Sequence, residues 1–115
     1  CELSLVAMGA EVEVFNDVGV AGISRLLDVL PEISEKSIVI AVAGMEASLP
    51  TVLAGLISNP IIAVPTSTGY GASLEGVTAS LSILSSCSPG INLVGIDNGY
   101  GAACAAIRML NLTNE

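Results

Sequence analysis

A chain of 115 residues holds one hydrophobic core, so residues 1–115 are read as a single domain. Hydrophobic residues make up 52% of it and the mean hydropathy is +0.81, yet no apolar run reaches the roughly 18 residues of a membrane span, which excludes a membrane partner. The net charge of −8, with Arg25, Lys36 and Arg108 as the only cations, excludes nucleic acid, and so apolar a chain with few aromatics predicts a homo-oligomer.

Helix and strand alternate along the chain. "CELSLVAMGA" spaces Leu3, Val6, Ala7 and Ala10 as a helix does and then meets a glycine-containing turn, so it reads as a helix end. A doubly wound sheet has a strand before such a helix, so an N-terminal strand is expected to be missing and the domain to be truncated there. "EVEVFN" alternates glutamate with valine and predicts an edge strand with one solvated side. "VAGISRLLDVLPEIS" puts Val20, Ile23, Leu26, Leu27 and Leu30 on one helical face and predicts a stop near Pro31.

"SIVIAVAG", "PIIAVP" and "INLVGID" are short continuous apolar runs, the pattern of parallel strands covered on both faces. The helical stretches "MEASLPTVLAGLI", "SLEGVTASLSILSS" and "GAACAAIRMLNL" follow them in turn. The fold class is therefore α/β, a three-layer α/β/α arrangement around a parallel sheet.

The cysteines Cys1, Cys87 and Cys104 form no CxxC pair and the chain has no histidine, so a structural zinc site is not expected. The plain reading is three buried thiols in a reducing cytoplasm. The chain opens without a basic n-region, so no signal peptide is expected.

Ligands of open parallel sheets bind outside the C-terminal ends of the strands. That rule selects "NDVGVAG" (16–22), "AGMEASLP" (43–50), "VPTSTGYGAS" (64–73) and "IDNGYGAA" (96–103). Small residues let their backbones approach a ligand and direct N–H groups at phosphate or carboxylate. Neither GxxxxGK[ST] nor GxGxxG occurs in these loops, and each alone is as readily a structural turn. Glu46 stands near a predicted helix N-terminus, where it either complements the helix dipole or acts as a general acid or base. Asp17 and Asp97 read first as acceptors for loop amides. Cys87 follows a predicted helix just before Ser88-Pro89-Gly90. The partial negative charge of a helix C-terminus disfavours a thiolate there, so position alone reads Cys87 as a buried thiol.

"NDVGVAGISRLL", "VAGMEASLPTVLAGL", "AVPTSTGYGASLEG", "LSSCSPGI" and "IDNGYGAA" together resemble the family of the nickel-pincer-cofactor biosynthesis protein LarB, which includes the circadian phase modifier CpmA. The resemblance covers essentially the whole chain. In fold it is also similar to the PurE carboxylase family, flavodoxin-like domains that assemble as octamers. Family members of full length open this domain with a strand and a Ser-Asp loop that this sequence lacks.

The resemblance implies pyridinium-3,5-biscarboxylic acid mononucleotide synthase activity. The partners would be nicotinic acid adenine dinucleotide, whose ring is carboxylated and whose phosphoanhydride is cleaved, and carbon dioxide or bicarbonate. It implies Mg²⁺ as a possible cofactor and no redox cofactor. Cys87 would add to the pyridinium ring and Glu46 would move a proton. Asp17, Gly19, Gly44, Met45, Thr66, Ser67, Gly69, Tyr70, Gly71, Ser86, Asp97 and Asn98 would bind substrate. PurE enzymes carry a catalytic histidine where this chain has Ser24, as do many LarB-like sequences. That departure weakens an aminoimidazole ribonucleotide carboxylase or mutase reading and leaves Glu46 as the proton-transfer candidate. A non-catalytic regulatory module is the remaining alternative.

Overall fold

The computed structural model describes residues 1–113. Helix α1 (Glu2–Ala7) is followed by an irregular stretch, a 3-10 turn at Val20–Gly22 and helix α2 (Ile23–Ser34). Then come strand β1 (Val39–Ala43), α3 (Ser48–Leu56), β2 (Ile61–Pro65), a 3-10 segment (Gly71–Gly76), α4 (Val77–Leu84), β3 (Ile91–Leu93) and α5 (Gly99–Thr113). The strands form one parallel sheet in the order β1-β2-β3, with Val39 opposite Ile61 and Ile61 opposite Ile91. The three apolar runs are its strands. No helix among the described residues is long and apolar enough to cross a membrane.

β2 is buried at every position, as a central strand covered on both faces must be. Because strand side chains alternate, Ile62 and Val64 face one layer and Ile61 and Ala63 the other. Ile62 and Val64 pack with Leu5 of α1 and with Ala102, Ala103 and Ala106 of α5, whose small side chains bring that helix close to the sheet. On the opposite face Ile61 packs with Leu26 and Ile33 of α2 and Leu53 of α3, and Ala63 with Ala79 and Ile83 of α4. The result is the expected three-layer α/β/α architecture. Full burial of a side chain such as Ile62 contributes about 1.5–3 kcal/mol.

Two sequence expectations fail. Residues 11–16 form no strand despite their alternation. Val39 N–H donates to Pro60 and Ala43 C=O accepts from Thr66, so odd-numbered residues of β1 bond towards β2. In a parallel strand the intervening Ile40 and Val42 then turn their N–H and C=O groups the other way. Residues 11–16 lie on that side but stand off across a cavity of about 1170 Å³, so they have no ladder to join. They are fixed instead by side chains: Val12 and Phe15 pack against separate parts of the core, and Glu13 pairs with Lys36. The second failure is at Pro31. Helix α2 runs through it to Ser34. Proline removes only the donor for the Leu27 carbonyl, and both residues lie on the exposed side where water can take its place.

Candidate functional site

The C-terminal ends of the strands bring three of the four glycine-rich loops together. Thr66 N–H donates to Ala43 C=O at 3.0 Å, Met45 N–H to Thr68 C=O at 3.3 Å, and Asp97 N–H to Pro65 C=O at 2.8 Å. Asp97 Oδ1 accepts the Ser67 backbone N–H at 2.9 Å. Asp97 thus bonds a loop amide, as its position in the sequence predicted. Hydrogen bonding from Ser67, through its hydroxyl and then its amide, holds the Asp97 carboxyl below the ordinary aspartate range. Gly44 is where this crossing is tightest. A Cβ there would lie 2.5 Å from Thr66 Oγ1 and 2.8 Å from Thr68 O, the second of which is backbone and cannot swing aside.

Between the loops after β1 and β2 lies a cavity of about 320 Å³ lined by Met45, Glu46, Tyr70, Gly71, Ala72, Ser73 and Thr78. Glu46 is exposed and its Oε1 accepts a hydrogen bond from Ser48 Oγ at 3.1 Å, in the first turn of α3. Tyr70 is 82% exposed at the rim. The surrounding backbone is strained. Met45, Ala47, Leu74 and Glu75 all have φ between 50° and 54°, a conformation costing about 1–3 kcal/mol at each non-glycine residue. Strain of this kind concentrates where a fixed backbone serves a ligand.

Two other groups of predicted residues lie elsewhere. Asp17 and Gly19 line the large cavity beside β1, and Arg25 of α2 braces their loop: its Nε donates to Asp17 C=O at 2.9 Å and its guanidinium stands 3.6 Å from Asp17 Oδ1. Cys87 is exposed rather than buried. The reason is visible in its neighbours. Ser86 Oγ lies 2.7 Å from Thr51 Oγ1, Ser88 N–H donates to Ser86 Oγ at 3.1 Å, and Ser88 Oγ donates to Thr51 C=O at 3.0 Å. With both flanking serines turned to α3, the residue between them faces out. Cys87 lines neither cavity.

Asn98 Oδ1 accepts the Gly101 N–H at 2.8 Å and so serves the first turn of α5. The other cysteines also depart from the buried reading, Cys1 being exposed and Cys104 half-buried. Cys104 faces Tyr100 one turn earlier, and their hydrogen bond raises the phenol above its ordinary value. The described residues gather no cluster of three His, Cys, Asp or Glu that could hold a metal ion.

Sequence reasoning passed over Ser48, Thr51 and Ser73. Ser48 follows Glu46 closely enough to be found as a helix-start residue. Thr51 and Ser73 gave no signal, because their roles depend on partners and burial that only the fold supplies.

Comparison with known proteins places these loops in context. The sequence pattern of the AIR carboxylase family matches residues 5–115. An uncharacterized protein of Methanocaldococcus jannaschii is 48% identical over 105 residues, which cover 90% of this chain and 40% of that protein. A protein of the same organism named N5-carboxyaminoimidazole ribonucleotide mutase is 40% identical over 104 residues, covering 86% of this chain and 63% of its own. The chain thus spans less than two thirds of the length of either relative.

Proposed function

Because this chain belongs to the AIR carboxylase family, we propose that it carboxylates a nitrogen heterocycle, and specifically the pyridinium ring of nicotinic acid adenine dinucleotide. The observation that carries this reading is the set of groups left to do the chemistry. There is no histidine in the chain to act as a base or to activate a thiol. Exposed Cys87 and Glu46 remain.

A pyridinium ring suits that inventory. It is an electrophile and a cation, so it attracts a thiolate without any neighbouring histidine or lysine. Addition of the Cys87 thiolate forms a C–S bond and converts the ring into a neutral enamine. The enamine carbon attacks carbon dioxide, forming the new C–C bond. Glu46 takes the proton from the carboxylated carbon, and loss of the C–S bond returns the thiolate and the aromatic ring. Hydrolysis of the phosphoanhydride then releases AMP.

Cys87 does not line the Glu46 cavity within one chain, so the proposal includes the homo-oligomer. The ring is placed between Glu46 of one copy and Cys87 of another. Exposed Val77, Leu81 and Leu84 form an apolar stripe on α4, at the spacing of one helical face, that suits contact between copies.

The test is alkylation of Cys87 by iodoacetamide, followed by peptide mass mapping, which separates it from Cys1 and Cys104, with and without nicotinic acid adenine dinucleotide. The rate should change when the dinucleotide is added. An equal rate in both conditions would sink the adduct. A second reading, N5-carboxyaminoimidazole ribonucleotide mutase, is favoured by the relative of that name. It would be supported by turnover of that nucleotide that survives Cys87→Ala.

A further inference from the structure

Ser73 lies in the 3-10 segment and is among the residues lining the Glu46 cavity, 8% exposed, and its Oγ is buried without a hydrogen-bond partner. The side chain is not a leftover of loop geometry. Gly69 makes room for it: a Cβ on Gly69 would lie 2.5 Å from Ser73 Oγ and 2.8 Å from its Cβ. Alanine at 73 would fill the same space without the hydroxyl. A buried polar group lacking a partner destabilises the free protein, and such groups are otherwise paired in native structures.

We propose that Ser73 is a substrate-binding residue whose hydroxyl donates to a carboxylate oxygen of a zwitterionic nitrogen heterocycle bound in this cavity, a nicotinate nucleotide. This rests on the ring chemistry proposed above and adds to it the subsite that orients the ring. The charge arrangement supports the class of ligand. No cation lines the cavity: Arg25 is engaged with Asp17 and Lys36 with Glu13, and Arg108 stands on α5 outside the lining. A ring carboxylate must therefore be held by a neutral donor. Glu46, also in the lining, complements the positive ring nitrogen, so the two charges of the zwitterion meet different partners. The cavity volume of about 320 Å³ is at the small end of ligand sites and takes a ring rather than a whole dinucleotide.

The test is Ser73→Ala measured in two ways. Thermal unfolding of the free protein should rise by a few degrees, since the unpartnered hydroxyl is gone. Affinity for nicotinic acid mononucleotide, followed by the backbone amide shifts of Ser73 and Gly69, should fall about tenfold, while nicotinamide mononucleotide, which lacks the carboxylate, should lose little. Three outcomes overturn the proposal: unchanged nicotinate affinity in the variant, nucleotide binding that leaves the Ser73 amide unmoved, and no response of that amide to either nucleotide. In the second the nucleotide reading survives without Ser73. Binding at Ser73 of the wild type but no carboxylated product with bicarbonate would keep the subsite and remove the reaction.

Discussion

The hydroxyls of Thr51 and Ser86 stand 2.7 Å apart and join the first half of α3 to the residue before Cys87. Together with the Ser88 bonds they fix the one exposed thiol that follows α4. Thr51→Val removes the hydroxyl at nearly constant volume and leaves Ser86 without that partner. It should cost about 1 kcal/mol in urea unfolding. Turnover should fall further than stability does, with Thr51→Ser restoring both.

Placing Cys87 and Glu46 in different copies makes a prediction about mixtures. Cys87→Ala and Glu46→Gln should each be inactive alone. Mixed, dissociated and reassembled, they should regain activity, because some sites then combine an intact thiol with an intact carboxylate. A mixture as inactive as its components would place both groups on one chain.

Asp97 supplies a pH dependence with a definite sign. Its folded carboxyl titrates below its ordinary value of 3.8 because Ser67 bonds the ionised form. The contact therefore stabilises the fold at pH above that ordinary value, and the benefit is lost as pH falls through the lowered folded value. Melting temperature followed from about pH 5 to about pH 2 should drop less steeply in Asp97→Asn, which keeps an acceptor oxygen but cannot titrate. Identical acid limbs would remove Asp97 from the account.

Gly44→Ala tests the loop crossing. Its Cβ would meet the Thr68 carbonyl at 2.8 Å, so the loops after β1 and β2 must part. The expected cost is about 1–3 kcal/mol in chemical denaturation. A larger KM for the dinucleotide should accompany it, since these loops form the cavity.

Much of the architecture was legible because it rests on local patterns. Three uninterrupted apolar runs are the three strands, and α3 and α4 fall within the helical stretches that follow the first two. Residues 11–16 show the limit of that method. Alternation predicts a strand only where a neighbour offers a ladder, and Val12 and Val14 have none within reach. Pro31 marks another limit, since a proline on a solvated helix face costs one bond rather than the helix. At the site, the glycine-rich loops were found from composition. The outward turn of Cys87 was not, because it is decided by Thr51, and the unpartnered hydroxyl of Ser73 was not, because burial is a property of the packed chain.

The central claim is that Cys87 drives carboxylation of a pyridinium ring. The most direct measurement is mass spectrometry of the protein incubated with nicotinic acid adenine dinucleotide and ¹³C-bicarbonate, beside Cys87→Ala at matched folding. The account predicts AMP and a mononucleotide carrying a second, labelled carboxylate, both absent with the variant. No labelled pyridinium product, together with turnover of N5-carboxyaminoimidazole ribonucleotide that survives loss of Cys87, would contradict it.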